Sequence, residues 1–432
     1  MWPRAVHGPQ CWTSICVIKY MLVVQGSIFF MGLLMILGRT PMSVSRISIQ
    51  TCDQTEGTIP SKWSTFSLLA SATYKIVKPR NYTNLESKRF AYMVLGPRRI
   101  DIEGLQETID RDVFWVTFKD KSGDIFSPRA THNGARNALL HYVVNMASHT
   151  LNGGYLYYIF MDDDIVLSLR NDGNVNWKPW KQMKNNTFER FEDFLLDFRP
   201  AVGYVRFQDN WRQPTDASRS TDLHHDFDEC FNAFHKDTLS FLLPYDTHFD
   251  YDSWYTGGWI ARHHMGMLYH SYRMQCNSLY IDNTIHGGRS DRYKAGYDYA
   301  KARDYIKSAI KPTSTMLQKS VLQADSEGKG LQPIGRMPGE PKVKGDHSYL
   351  ITDEFISSNF IKYHPMIQKI MSWRKTPEVE RILHLRTRNE SRFIPDSLYT
   401  DSPTRFWVPK SKQKSRKTNK HRHSHIRRRE WH

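Results

Sequence analysis

Three consecutive aspartates, Asp162, Asp163 and Asp164, close the apolar run Tyr155-Leu-Tyr-Tyr-Ile-Phe-Met and are the side chains here best suited to chemistry. Residues two apart on an extended backbone share a side, so Asp162 and Asp164 face the same way. Two carboxylates so placed can hold a hard divalent cation, which can in turn hold a diphosphate. An Asp-x-Asp on its own is more often a solvated acidic turn, so its neighbours decide.

Three further groups follow in an order that suits one site. Thr131-His-Asn-Gly-Ala-Arg-Asn137 is a polar turn entering a helix. Helix N-termini attract phosphate, and Arg136 adds a charge-assisted contact. Alone, the segment reads as a capped helix with a surface arginine. In His248-Phe-Asp-Tyr-Asp-Ser-Trp-Tyr255, Asp250 or Asp252 can serve as general base toward an acceptor hydroxyl, with Trp254 as a stacking surface. Helix capping by Asp252 or Ser253 competes with that reading. Asp282-Asn-Thr-Ile-His-Gly-Gly288 puts His286 on a glycine-flexible loop just past a strand, where imidazole can complete a metal shell begun by the acids.

The elements around these groups alternate. Residues 89–95 and 113–118 read as strands, 103–111 as a short helix, and 133–150 as a helix with Asn133 as N-cap. Ala135, Ala138, Leu139, Tyr142, Val143 and Met146 form that helix's apolar face. The acid-tipped strand comes next. Further on, 187–199 reads as helix, 201–207 and 230–234 as strands, and 236–243 as a short helix stopped by Pro244. Residues 255–274 have helical length, 278–281 form a short strand, and 350–375 form one or two helices. Strand–helix–strand alternation predicts an α/β fold with a mostly parallel twisted sheet flanked by helices, with the aspartates at a carboxyl end of it.

Charge is unevenly spread. The chain of 432 residues carries +16, but Lys410 to His432 holds ten Lys or Arg against Glu430 alone. A like-charged block of this kind is usually a disordered interaction tail, and no specific nucleic-acid partner is expected. Near the start, Tyr20 to Leu37 is interrupted only by Gln25 and Ser27 as polar side chains, and extends back to Ile15 with Lys19 able to snorkel. It exceeds a signal-peptide core and lacks an Ala-x-Ala cleavage site, so an uncleaved signal anchor is the favoured reading. Cys230 and Cys276 allow one disulfide in an oxidising lumen. Sequons stand at Asn81, Asn185 and Asn389.

The order Gly-Ala-Arg-Asn137, apolar strand with Asp162-Asp-Asp164, Asp250-x-Asp252-x-Trp254 and a late His286 before Gly-Gly resembles a metal-dependent glycosyltransferase of the GT-A fold, over about residues 89–290. That resemblance implies a nucleotide-sugar donor, with UDP the first guess, and a glycan, protein or lipid acceptor. It implies Mn²⁺ or Mg²⁺ on Asp164 and His286 with Asp162, donor contacts from Arg136, Asn137, Asp162 and Asp163, and acceptor contacts from Trp254 and Tyr255. It also implies a single-pass type II Golgi membrane protein with a luminal catalytic domain. The corresponding division is 1–14 cytosolic tail, 15–37 anchor, 38–88 stem, 89–312 catalytic domain, 313–347 linker or long loop, 348–409 peripheral segment and 410–432 basic tail. Two rivals stand beside it. Asp162-Asp-Asp-Ile-Val166 also fits the nucleophile motif of haloacid-dehalogenase-like phosphatases, with Asp162 attacking. A non-catalytic membrane-anchored binding protein on the same scaffold is the other.

Overall fold

Side-chain alternation along a few wholly buried strands divides the interior into two cores. In strand β2 (Phe90–Gly96), Ala91, Met93 and Leu95 join one apolar cluster, while Phe90, Tyr92 and Val94 join the other. Strands β3 (Arg111–Thr117) and β5 (Tyr157–Asp162) split the same way, as the period of two requires. The computed structural model describes residues 74–80, 88–150, 154–170, 178, 180–205, 221–222, 229–253, 255–269, 272–282, 299–314 and 348–384. The chain divides into Met1–Thr55 and Glu56–His432, and every described residue lies in the second unit.

The remaining strands are β1 (Lys75–Ile76), β4 (Ile125–Phe126), β6 (Val166–Leu169), β7 (Val202–Tyr204), β8 (Thr221–Asp222), β9 (Phe231–His235), β10 (Arg273–Cys276) and β11 (Leu279–Asp282). Nine of the eleven strands among the described residues form one sheet in the order β1-β4-β3-β2-β5-β9-β7-β10-β8. Six of them, β2, β3, β4, β5, β7 and β10, run the same way; β1, β9 and β8 oppose them. The α/β expectation of a mostly parallel sheet therefore holds. From β2 the chain moves outward to β3 and β4, then returns through helix α1 (His132–Ser148) to β5 on the other side of β2. Strand order reverses between β2 and β5, and such a switch leaves a crevice at the carboxyl ends.

Helix α2 (Thr187–Phe198) covers one face with Phe188, Phe191, Phe194, Leu195 and Phe198. Each such side chain contributes about 1.5–3 kcal/mol by leaving water. Asn186 caps its start, accepting from Phe188 and Glu189 N–H at 2.9 and 3.1 Å, and Arg199 ends it in the left-handed conformation. The other face carries α1, α3 (Tyr255–Leu268), α4 (Tyr299–Ala309), α5 (Asp353–Asn359), α6 (Pro365–Arg374) and α7 (Pro377–His384).

Several local expectations are corrected. Residues 103–110 are irregular rather than helical: Gly104 sits at φ +81°, and its carbonyl accepts from Asn186 Nδ2 at 2.9 Å and Arg111 Nη1 at 3.2 Å. Thr131, not Asn133, caps α1, its hydroxyl accepting Gly134 N–H at 3.0 Å. Residues 236–240 form a 3₁₀ turn, and α3 stops at Leu268, leaving Arg273–Cys276 as a buried strand. The segment after 348 is not peripheral as far as 384. Trp373, Ile367, Val379 and Ile382 share the core with α1, and Trp373 Nε1 donates to Leu239 O at 3.0 Å. Cys230 and Cys276 are buried and form no disulfide. Cys230 immediately precedes β9 and Cys276 ends β10, and β7 lies between those strands, so the two stand about two strand spacings apart, roughly 9–10 Å, beyond disulfide reach. Burial lifts the Cys276 thiol to about 11. The anchor at 15–37, the stem apart from 74–80 and 88, the linker beyond 314 and the basic tail lie outside the described residues. Among those described, no helix is long and apolar enough to cross a membrane.

Candidate active site

Apolar pairing carries the aspartates to the switch point. In-register pairing with β2 sets Asp162, the last residue of β5, opposite Leu95, and Asp163 N–H donates to Leu95 O at 3.1 Å. The next residue of β2 is Gly96, where a Cβ would stand 2.7 Å from the Asp163 carboxyl carbon. Only a bare backbone lets the acidic turn fold over the end of β2. On the other side, antiparallel β9 begins where β5 ends, and Asp162 N–H donates to Cys230 O at 2.9 Å.

Helix α1 then fixes one carboxylate. Arg136 Nη2 lies 2.7 Å from Asp162 Oδ1, and His132 Nε2, one turn earlier on the same face, lies 3.4 Å from that oxygen. Burial alone would raise the Asp162 pKa, but the Arg136 and His132 charges and hydrogen bonds outweigh it and hold the carboxyl at about 2. Burial likewise opposes the charge on Arg136, yet Asp162, Tyr245 and Glu229 together hold its pKa above the ordinary value. The guanidinium sits 5.8 Å from the ring centroids of both Phe160 and Tyr245. Arg136 is 1% exposed, so it positions Asp162 rather than reaching outward to a phosphate.

Asn137 is turned to structural use. It exchanges hydrogen bonds with the Tyr245 backbone at 2.9 and 2.8 Å, pinning the segment that leads to the second acid pair. There, Asp250 is buried and accepts from Asn133 Nδ2 at 2.8 Å and from the Thr131 hydroxyl. Burial raises its carboxyl pKa, while the Asn133 and Thr131 bonds restrain the rise. Asp250 thus braces the start of α1, whereas Asp252 keeps half its side-chain surface in solvent, 3.4 Å from Lys301 Nζ. Of the two, Asp252 is the accessible carboxylate. His132 links the two acid groups, touching Asp162 and acting electrostatically on Asp250.

Asp163 and Asp164 form the partly exposed turn between β5 and β6. Strand β11 pairs antiparallel with β6, setting Asp282 opposite Val166, two residues beyond Asp164. His286 follows Asp282 by four residues, a span of at most about 14 Å. His286 and Trp254 lie outside the described residues, as does the side chain of Tyr255, the first residue of α3. Among the described residues no group of three or more His, Cys, Asp or Glu is arranged to hold a metal ion. The carboxylates still fit a hard cation such as Mg²⁺ or Mn²⁺, which needs only one or two protein carboxylates when phosphates and water complete its shell.

Three contributors escaped the sequence reading. His132 was within the noted turn, and its i,i+4 spacing to Arg136 was the available signal. Glu229 and Arg262 were not: Glu229 is 1% exposed, Arg262 Nη2 stands 3.4 Å from its Oε1, and a Cβ on Gly258 would fall 1.6 Å from that oxygen. The pair Gly257-Gly258 therefore lets α3 press its first turn against Asn133 and Glu229. No protein-family model matches the chain, and no curated protein or solved structure is significantly similar to it.

Proposed function

We propose that the protein is a metal-dependent glycosyltransferase, moving a sugar from a nucleoside diphosphate, UDP first, to an acceptor hydroxyl. The observation that carries this reading is the acidic turn Asp162–Asp164 at the carboxyl end of β5, beside the strand-order switch and over the bare backbone of Gly96. Asp164 would hold Mn²⁺ or Mg²⁺ with His286, and Asp162 stands ready beside it, kept ionised by Arg136 and His132. When bound, the cation offsets charge on the departing diphosphate. Asp252 takes the proton of the acceptor hydroxyl, a role for which Asp250 is too deeply engaged. Residues 15–37 anchor this domain in the Golgi membrane with the site in the lumen. Asn185 is exposed ahead of α2, so its sequon is open to glycosylation.

The test is a donor-hydrolysis screen of nucleotide sugars with Mn²⁺ or with EDTA. Metal-dependent hydrolysis that disappears in Asp164→Ala and His286→Ala, while Asp252→Asn still binds donor, supports the assignment. Hydrolysis of generic phosphate esters, abolished by Asp162→Asn without turnover of any nucleotide sugar, would replace it with the phosphatase reading.

A further inference from the structure

A cationic surface lies beside the acidic turn. The loop after β2 carries Arg98 and Arg99, and the loop after β3 carries Lys119 and Lys121; all four are exposed. Backbone bonds tie the two loops together: Lys119 N–H donates to Pro97 O at 3.0 Å, and Arg99 N–H to Ser122 Oγ at 2.6 Å. Exposed Lys78 reaches the same point, its Nζ donating to Ser122 O at 3.1 Å. Five exposed cations therefore stand on three segments tied together by these bonds. Against them stand three exposed carboxylates, Asp101, Glu103 and Asp120, the last within electrostatic reach of Arg98. Asp120 already accepts from Ser122 N–H and Oγ at 3.0 and 2.5 Å, and buried Asp124 is engaged by Arg80 at 2.9 Å and lies 4.0 Å from Arg99 Nη1. Phe118 and Ile100, each 38% exposed, add apolar surface among the charges.

We infer that this surface binds a polyanionic glycan, one bearing sulfates or uronates along its length, as the acceptor of the proposed transfer. The inference rests on the glycosyltransferase reading for the word acceptor, though not for the binding. Position and number favour it. The patch begins at Pro97, directly after the Gly96 that underlies Asp163, so an anion held there leads straight to the acidic turn. A diphosphate held by a cation on the aspartates has no need of five more charges. A linear chain with repeated charge matches cations distributed over the ends of neighbouring strands, about 4.8 Å apart. Phe118 offers a face for a sugar ring.

The experiment uses the full chain in detergent, with the ten Lys and Arg of 410–432 changed to Gln so that the tail does not capture the probe. The probes are a heparin-derived octasaccharide, a neutral chitin oligosaccharide, and phosphatidylserine vesicles, all without metal or donor. The octasaccharide should bind in a salt-sensitive way, and the chitin oligosaccharide should not. Changing Arg98, Arg99, Lys119 and Lys121 to Ser should raise the octasaccharide Kd at least tenfold. The variant Lys362→Ser/Lys375→Ser, at exposed cations elsewhere, should leave it unchanged. Octasaccharide affinity that is absent, or unaltered by the fourfold substitution, overturns the inference. So does patch-dependent binding of vesicles without binding of octasaccharide, which would make the surface a membrane contact. Failure of the enzymatic reading is seen separately, as absent donor hydrolysis in a chain that still binds the octasaccharide.

Discussion

Arg136 and Asp162 show how one ion pair can govern a site. Both are removed from bulk water to different degrees, the arginine fully and the aspartate with 21% of its side chain exposed. Removing one partner leaves the other charge without its counterpart, so Arg136→Ala should cost about 3–5 kcal/mol in urea unfolding. The pair also sets an acid limit. The Asp162 pKa is lowered on folding, so its stabilisation is in place above pH ~4 and is lost as the pH falls toward 2. That contribution is about 2 kcal/mol, and Asp162→Asn should flatten the stability profile in this window. Glu192 of α2 behaves in the opposite sense at the amino end of the strands, beside Arg111, the first residue of β3. Burial outweighs the Arg111 guanidinium, 2.9 Å away, and lifts the carboxyl to about 7. Stability tied to Glu192 is therefore complete below pH ~4.5 and falls as the pH rises through 7, at about 1.4 kcal/mol per unit of displacement. Unfolding measured from pH 4 to 8 should show this slope, and Glu192→Gln should abolish it.

At the scale of elements, α3 makes a close join with the segment before β9. Alanine favours a helix over glycine by about 1 kcal/mol, yet a Cβ at Gly258 would collide with Glu229. Gly258→Ala should therefore lower stability by about 1–3 kcal/mol, and Glu229→Asp, by shortening the carboxylate, should recover part of it in a thermal melt. Which elements were legible follows from where their information resides. Strand β5 and its acids announced themselves, because an unbroken apolar run needs no partner to be recognised as buried. Helix α1 showed its apolar face, but its opposite face is also buried and carries Asn133, Arg136 and Asn137, whose partners come from distant segments. That is why Asn133 passed for a cap and Arg136 for a surface charge. Strand β10 was hidden because Arg273 and Gln275 alternate with Met274 and Cys276 at the end of a helical-looking stretch, and only its pairing with β7 reveals it. The 103–111 segment had helical composition, and a single positive φ at Gly104 overrode it.

For the whole molecule, the C-terminal helices matter more than their late position suggests. Tyr349 N–H donates to Asp237 Oδ2 at 2.8 Å, Ile351 N–H to Ser240 Oγ at 3.1 Å, and Arg374 Nη1 to Ser240 O at 2.9 Å. Trp373 packs against His141 of α1 with ring centroids 4.7 Å apart. Trp373→Ala should cost about 3–5 kcal/mol. A chain ending at residue 347 should lose its cooperative unfolding transition and its near-ultraviolet circular dichroism, because the flank of α1 turned away from the sheet would be bare. The same packing has a consequence for biosynthesis. Helix α7 lies against α1, although roughly 230 residues separate 148 from 377. At about 5–20 residues per second, the ribosome leaves α1 without this partner for roughly 12–45 s. Through that interval the helix bearing His132 and Arg136 has an uncovered apolar flank, and it becomes fully enclosed only after residues 377–384 are made.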